Sequence, residues 1–283
     1  MKYWQTSRRK LSLERPLVMA ILNVTPDSFS DGGKYSSVDD VLRWAETMIA
    51  DGADIIDVGG ESTRPGSESV GTREELRRTI PVIEAMAKRF DTPISIDTTK
   101  SEVARQALGA GAEIINDISG LRFDEQIANF AAASGAGLVL MHSRGEFETM
   151  HSQPPVDDIL GEVAADFRRA LKIAEGGGVT ADHIALDIGL GFGKTFEQNL
   201  ELLAKLDKIV NEFTAYPMLV GASRKSFIGK LTGDRPANER LGGSLAAAIH
   251  AVENGAKILR VHDVRETFDA LRVSEAICQR KLN

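Results

Sequence analysis

Four short stretches of the chain share one pattern and deliver polar side chains at matching places. Gly52-Ala53 runs into Ile55-Ile56-Asp57-Val58, and Gly111-Ala112 into Ile114-Ile115-Asn116-Asp117. Gly135-Ala136 runs into Leu138-Val139-Leu140-Met141-His142, and Gly255-Ala256 into Ile258-Leu259-Arg260-Val261-His262. Each reads as a helix stop, with a Gly able to take positive φ, followed by a short apolar strand that ends on polar or ionisable residues. Other apolar runs end the same way, on Asn23, Asp97 and Asp187, and one leads into Ser223-Arg224-Lys225-Ser226. Asp97, Asn116 and Asp187 sit in apolar strands, where a carboxylate is costly unless several N–H donors meet it. A flat heterocycle with a guanidine-like edge would supply those donors. Arg64, Lys225, Arg260 and His262 form a second, basic subset, suited to phosphate or pyrophosphate. Together they describe a ligand with a donor-rich ring at one end and a phosphorylated group at the other.

Some neighbouring residues read differently. Asp57 is equally well a support for other site residues, His142 is favoured as a satisfied core histidine, and Glu61 could anchor the loop after it through that loop's backbone. Gly189-Leu190-Gly191-Phe192-Gly193-Lys194-Thr195 looks like a phosphate loop, but Ile188 occupies the first glycine position that pattern needs. It reads instead as a flexible loop that lets Phe192 approach a ligand. No His/Cys cluster has zinc spacing.

The elements that must carry these residues follow from hydropathy. Eight apolar runs (Val18–Val24, Ile55–Gly59, Pro93–Asp97, Ile114–Ile118, Leu138–His142, Ile184–Ile188, Met218–Ala222 and Ile258–His262) alternate with helical patterns such as Val38–Ala50, Arg73–Phe90, Ser101–Leu108, Ile159–Glu175 and Ala237–Asn254. Continuous apolar strands between amphipathic helices mean a parallel sheet with a covered outer face. Eight such units predict an α/β fold of the (β/α)8 TIM barrel type, residues 1–283 as a single domain, with the doubly wound open sheet as the structural alternative. Residues 1–17 precede the first barrel strand, and Trp4, Leu11 and Leu13 could cover the barrel floor. Three long segments after strands, Thr25–Ser37, Gly60–Thr72 and Ser143–Asp158, would lie on the catalytic face.

The chain has 283 residues, 42% hydrophobic and 27% charged, as expected of an ordinary soluble globular protein. Its net charge of −7 argues against a general nucleic-acid grip, and no stretch approaches the length of a membrane span. The single cysteine, Cys278, permits no intramolecular disulfide and reads as a buried small apolar residue in a reducing compartment, hence a cytoplasmic expectation.

With these motifs set out, the chain resembles the dihydropteroate synthase family. Ile21-Leu22-Asn23-Val24-Thr25-Pro26-Asp27-Ser28-Phe29-Ser30-Asp31-Gly32-Gly33 is similar to that family's opening signature, and Ile56-Asp57-Val58-Gly59-Gly60-Glu61-Ser62-Thr63-Arg64-Pro65-Gly66 to its second. The likeness runs on, in order, through Ser95–Thr98, Asn116–Ile118, Met141-His142, Asp187 with Gly191–Lys194, Ser223–Ser226 and Arg260–Asp263. The resemblance implies a (β/α)8 enzyme of folate synthesis, usually a homodimer, that condenses 6-hydroxymethyl-7,8-dihydropterin diphosphate with p-aminobenzoate and releases pyrophosphate with Mg²⁺ assisting. It implies that Asp97, Asn116, Asp187 and Lys225 bind the pterin, with Met141 and Phe192 lining its pocket. Arg260 would stack on the ring and help hold the diphosphate, which His262, Ser62, Thr63 and Arg64 would contact. Asn23 would ligate the Mg²⁺. Phe29, Thr63, Pro65, Lys225 and Ser226 would shape the p-aminobenzoate site, where sulfonamides compete in the family, and Asp31 would close over the reaction. Asp31, Lys225 and Arg260 are thus the expected catalytic residues. One departure is Ile188, where the family usually has Pro. A corrin-linked methyltransferase is the nearest rival; it needs neither diphosphate cations nor a Ser-Arg-Lys-Ser loop, so Arg64 and Lys225 speak against it. A non-catalytic pterin-binding subunit would require a damaged site, and no expected residue is missing.

Overall fold

A computed structural model of the chain describes residues 2–24, 37–62, 69–146, 149 and 153–281. Eight parallel strands close on themselves: β3 (Leu17–Asn23), β4 (Ile55–Gly59), β5 (Ile94–Asp97), β6 (Ile114–Asp117), β7 (Gly137–Met141), β8 (Ile184–Asp187), β9 (Met218–Val220) and β10 (Ile258–Val261), with β10 paired to β3. The open-sheet alternative is thereby excluded. The outer ring consists of α1 (Val38–Ala50), α2 (Thr72–Arg89), α3 (Ser101–Ala110), α4 (Gln126–Ser134), α5 (Ile159–Gly176), α6 (Phe196–Ala204), α7 (Leu206–Glu212), α8 (Ser226–Leu231), α9 (Leu241–Glu253) and α10 (Val264–Lys281). The helical pattern read from Ala237 breaks at Arg240, leaving a 3-10 turn over Ala237–Glu239 before α9. The Arg240 guanidinium is taken up by the carbonyls of Arg235 and Arg224.

The period of two along each strand sorts the residues. Outward-facing Val18, Ala20, Ile56, Val58, Ile96, Ile115, Leu138, Leu140, Leu186 and Leu259 pack with the helices in one large core. The inward set divides into two levels. At the floor lie Leu17, Met19, Ile55, Ile114, Val139, Ala185, Leu219 and Ile258. Two residues further along β4, β6, β7, β8 and β10 come Asp57, Asn116, Met141, Asp187 and Arg260, and β5 contributes Ser95 and Asp97. The apolar floor and the polar mouth are therefore built by the same strands, one pleat apart.

The four helix-stop glycines behave as their sequence context implies: Gly52, Gly111, Gly135 and Gly255 have φ of 106°, 120°, 66° and 100°. The N-terminal segment is a small hairpin, β1 (Tyr3–Gln5) with β2 (Lys10–Ser12), that closes the floor. Trp4 is fully buried among the floor residues, and its indole N–H donates to the His183 carbonyl at 2.9 Å. Arg9 and Thr6 clamp the hairpin to buried Glu113, Arg9 Nη2 lying 2.8 Å from Oε1 and Thr6 Oγ1 2.8 Å from Oε2. Cys278 is half-buried on the last helix rather than fully buried, in a C-terminal half of α10 whose residues are mostly exposed.

Candidate active site

Register brings the polar mouth together. β4 pairs with β5 so that Gly59 lies beside Asp97, β5 with β6 so that Asp97 lies beside Asn116, and β7 with β8 so that Met141 lies beside Asp187. Across this ring reaches Arg260. Its Nε is 2.6 Å from Asp57 Oδ2 and its Nη2 is 2.6 Å from Asp97 Oδ2. The two subsets of the sequence reading, carboxylates for a ring and cations for a phosphate, are therefore one connected network on the Arg260 side. Asp57 Oδ2 also accepts from Asn116 Nδ2 at 3.0 Å. Because the amide NH2 of Asn116 is engaged by Asp57, its carbonyl oxygen is the group it can turn toward a ligand, in the orientation the hydrogen-bond network selects. The second Asp57 oxygen is buried without a hydrogen-bond partner among the described residues. Asp57 is thus the residue that holds Arg260 and Asn116 in place, the support role that sequence left as one of two readings.

The charges of the mouth are tuned by burial. Asp97 has a raised pKa, chiefly from desolvation, with Arg260 pulling it back and Asp57 pushing the same way as burial. Asp187 is also raised by desolvation, opposed by the Gly189 N–H, which donates to its Oδ1 at 2.7 Å, and by Lys225. Lys225 is pushed down to about 8 by desolvation and by Arg260, while Asp187 and Asp97 oppose the shift. Desolvation works against the Arg260 charge, but Asp57 and Asp97 outweigh it and its pKa is raised. His262 is pushed down to about 3 by desolvation and the nearby Arg224 and Arg260, and its Nδ1 lies 3.1 Å from Ser223 Oγ. Without ligand it is a neutral imidazole, so the basic subset loses one cation at neutral pH.

The apolar walls are Met141, Ile118 and Phe192, a small cluster of their own at the mouth. Lys225 Nζ sits 4.0 Å from the centre of the Phe192 ring, a cation–π contact joining the β8–α6 and β9–α8 loops. Backbone conformation places Lys225: Arg224 adopts φ 59°, unusual for a side chain of its size, and is held there by its fork onto Asp263, with Nε 3.1 Å from Oδ2. Ser226 opens α8 directly after and is exposed.

The β8–α6 loop departs from its sequence reading. It is pinned rather than flexible: Lys194 Nζ donates to the carbonyls of Gly189, Phe192 and His142, and the Gly191 N–H to Asn199 Oδ1 at 2.6 Å. His142 is buried as expected but not fully satisfied, since its Nδ1 has no hydrogen-bond partner among the described residues, and desolvation with Lys194 nearby pushes its pKa down to about 2. Asp117 stabilises its own turn by accepting from the Ser119 and Leu121 N–H groups and the Ser119 hydroxyl. Glu61 does what its sequence position suggested. One oxygen accepts from the Val70 N–H and the Ser69 hydroxyl, and the other from Lys100 Nζ at 2.9 Å. Sequence reasoning missed Lys100 and its second partner, buried Glu75, 2.7 Å away, because no local pattern reports an ion pair between separate βα units. Phe29, Asp31, Thr63, Arg64 and Pro65 lie outside the described residues. Ser62 is described and follows Glu61 at the rim.

Asn23 tests the Mg²⁺ expectation. It ends β3, and a Cβ placed on Gly59 would touch both its Oδ1, at 3.4 Å, and Asp97 Cβ, at 3.6 Å, so the two side chains flank Gly59. Among the described residues no group of three or more His, Cys, Asp or Glu could hold a metal. One hard neutral oxygen beside a carboxylate fits a Mg²⁺ that takes most of its ligands from substrate phosphate and water.

A closed parallel barrel with buried carboxylates, a lysine and an arginine converging at its mouth is an enzyme scaffold, and residues 19–262 match the family described as pterin binding enzyme. The dihydropteroate synthase of Escherichia coli K12 is 49% identical over 273 residues, 96% of this chain and 95% of that protein. The crystal structure of the Yersinia pestis dihydropteroate synthase with a sulfonamide drug complex matches with a TM-score of 0.91 at 42% identity, covering 98% of this chain and 99% of that one. The Burkholderia cenocepacia dihydropteroate synthase complexed with 7,8-dihydropteroate matches with a TM-score of 0.88 at 42% identity, covering 99% of this chain and 97% of that one. The chain belongs to the dihydropteroate synthase family.

Proposed function

We infer that this chain condenses 6-hydroxymethyl-7,8-dihydropterin diphosphate with p-aminobenzoate, giving 7,8-dihydropteroate and pyrophosphate. The observation that carries the reading is the single inward layer of Asp97, Asn116 and Asp187, facing Lys225 and Arg260 above a sealed apolar floor. Buried acceptors on three strands meet the N–H edge of a flat pterin, and Met141 and Phe192 supply its apolar walls.

The bond to break joins the pterin methylene to diphosphate. Charge develops on the leaving oxygens, and Arg260, Arg64, Ser62, Thr63 and His262 stabilise it. Asn23 would hold Mg²⁺, which when bound would supply Lewis-acid neutralisation of that charge. The electron-rich pterin stabilises positive charge at the methylene, which favours a dissociative path. The aromatic amine is a neutral nucleophile and needs positioning more than activation; Phe29, Thr63, Pro65, Lys225 and Ser226 provide it. Asp31 is assigned to excluding water from the positive charge at the methylene. Sulfonamides compete at the p-aminobenzoate site, and the protein works as a cytoplasmic homodimer.

Purified protein incubated with both substrates and Mg²⁺ is expected to release pyrophosphate and 7,8-dihydropteroate in equal amounts. Absence of both products, or methyl transfer from methyltetrahydrofolate instead, overturns the reading.

A further inference from the structure

The glycine-rich stretch from Gly189 to Thr195 resembles a phosphate loop but has the wrong spacing, and the proposed chemistry assigns no task to its lysine. Its geometry does. Lys194 Nζ lies 2.7 Å from the Gly189 carbonyl oxygen, 3.1 Å from that of Phe192 and 3.2 Å from that of His142. Burial pushes the Lys194 pKa down to about 7, with Asp187 opposing the shift; in the protonated form the ammonium has three protons and no acceptor, and three carbonyls use all of them. None is left for a phosphate oxygen, which separates this lysine from the one in a phosphate loop.

The three carbonyls belong to two strand ends. His142 follows β7, while Gly189 and Phe192 lie in the loop after β8. Drawing them onto one nitrogen forces a tight path. Gly189, Gly191 and Gly193 have φ of 62°, 83° and 71°, and a Cβ on Gly189 would lie 1.9 Å from the same His142 oxygen. This turn delivers two contacts of the ring pocket. The Gly189 N–H fixes the Asp187 carboxylate from one side, and the Phe192 ring is carried against Lys225. The Phe192 N–H closes the turn onto the Gly189 carbonyl at 3.1 Å and the Gly191 N–H onto Asn199 at 2.6 Å, but three clustered carbonyl dipoles repel one another, and the lysine is the cation that offsets that repulsion.

We propose that Lys194 is a positioning residue for pterin recognition: it gathers the carbonyls of His142, Gly189 and Phe192 and so sets the turn that presents Asp187 and Phe192 to the ring. The proposal rests on the pterin reading above. It predicts a defect weighted to the pterin, because the p-aminobenzoate residues lie on other loops and Lys225, shared by both subsites, meets this turn through the Phe192 ring alone of the two contacts it presents.

The test uses full-length wild type and Lys194→Met, which keeps the length of the stem and removes every donor. Calorimetry measures affinity for 6-hydroxymethyl-7,8-dihydropterin without diphosphate, and steady-state kinetics gives KM for each substrate. Removing charge-assisted hydrogen bonds of this kind is expected to weaken pterin affinity at least about tenfold and to raise the pterin diphosphate KM in parallel, with the p-aminobenzoate KM within about twofold of wild type. Pterin affinity within about threefold of wild type, an equal rise in both KM values, or a fall in kcat alone would overturn the proposal, since a lost active fraction moves only kcat. If Lys194→Met does not fold, Lys194→Gln, which keeps two donors, is read by the same split and the same criteria. Wild type that binds no pterin sinks the functional reading itself, whatever the variant does.

Discussion

Arg260 shows how one side chain ties structure to chemistry at this mouth. It joins Asp57 to Asp97 at 2.6 Å on each side and is itself only 20% exposed in its side chain. Arg260→Ala therefore has two consequences. It leaves two buried carboxylates facing each other without a cation, which is expected to cost about 3–5 kcal/mol of stability. It also removes a preorganised charge from the leaving group, which is expected to lower turnover at least ~100-fold. Chemical denaturation and single-turnover kinetics on the folded fraction separate the two; near-normal turnover would remove Arg260 from the reaction. Lys225 makes a pH prediction. Its pKa in the ligand-free site is pushed down to about 8 by burial and Arg260, so it is protonated below that pH and neutral above it. If its charge is needed, kcat/KM for the pterin substrate falls about tenfold per pH unit above ~8, since that ratio reports the free enzyme. Lys225→Arg, which stays charged, should abolish this alkaline limb even where it lowers the rate; a limb unchanged in the variant assigns it to another group.

At the scale of the element, the helix-stop glycines allow a comparison in which geometry decides the magnitude. Gly135 and Gly111 both end helices in positive φ, at 66° and 120°. A Cβ on Gly135 would meet nothing closer than the His183 ring at 3.8 Å, whereas one on Gly111 would lie 2.5 Å from Ala87 Cβ on α2. Gly135→Ala should therefore cost only the backbone term, about 1 kcal/mol, while Gly111→Ala adds a packing clash of about 1–3 kcal/mol because two helices must separate. Urea midpoints of the two variants check the order, and equal losses would contradict it. Both glycines were legible in the sequence because the stop, the strand and its polar end recur with fixed spacing. The strand alternation was equally legible, and with it the level at which Asp57, Asn116, Asp187 and Arg260 lie. Partnerships across the barrel were not. Arg260 and Asp57 are 203 residues apart and meet only because the sheet closes. Nor did sequence reveal the work of Lys194, whose partners are backbone carbonyls that leave no mark on residue identity, so that its glycines suggested freedom where the structure has a pinned turn.

For the molecule as a whole, the question is why a site open to solvent at one end holds its shape, and the floor answers it. At its base the barrel interior is packed by Leu17, Met19, Ile55, Ile114, Val139, Ala185, Leu219 and Ile258, and Trp4 enters from the N-terminal hairpin to join that layer. Gly137 makes room: a Cβ there would lie 3.2 Å from the Trp4 ring. The indole also satisfies the His183 carbonyl just before β8, the strand that carries Asp187 two residues beyond Ala185 of the floor. The hairpin thus bears on the site only through the strands. Trp4→Ala is expected to cost about 3–5 kcal/mol by opening a cavity and orphaning a carbonyl, and to lower the melting temperature accordingly. Below that lowered transition the mouth retains its own network, from Arg260 through Asp57 to Asn116, so KM for both substrates should stay within about twofold of wild type, with losses confined to the folded fraction. A rise in the pterin KM at temperatures where circular dichroism shows the variant fully folded would mean that floor packing transmits strain to the carboxylate layer, and that the two levels of the barrel are mechanically one.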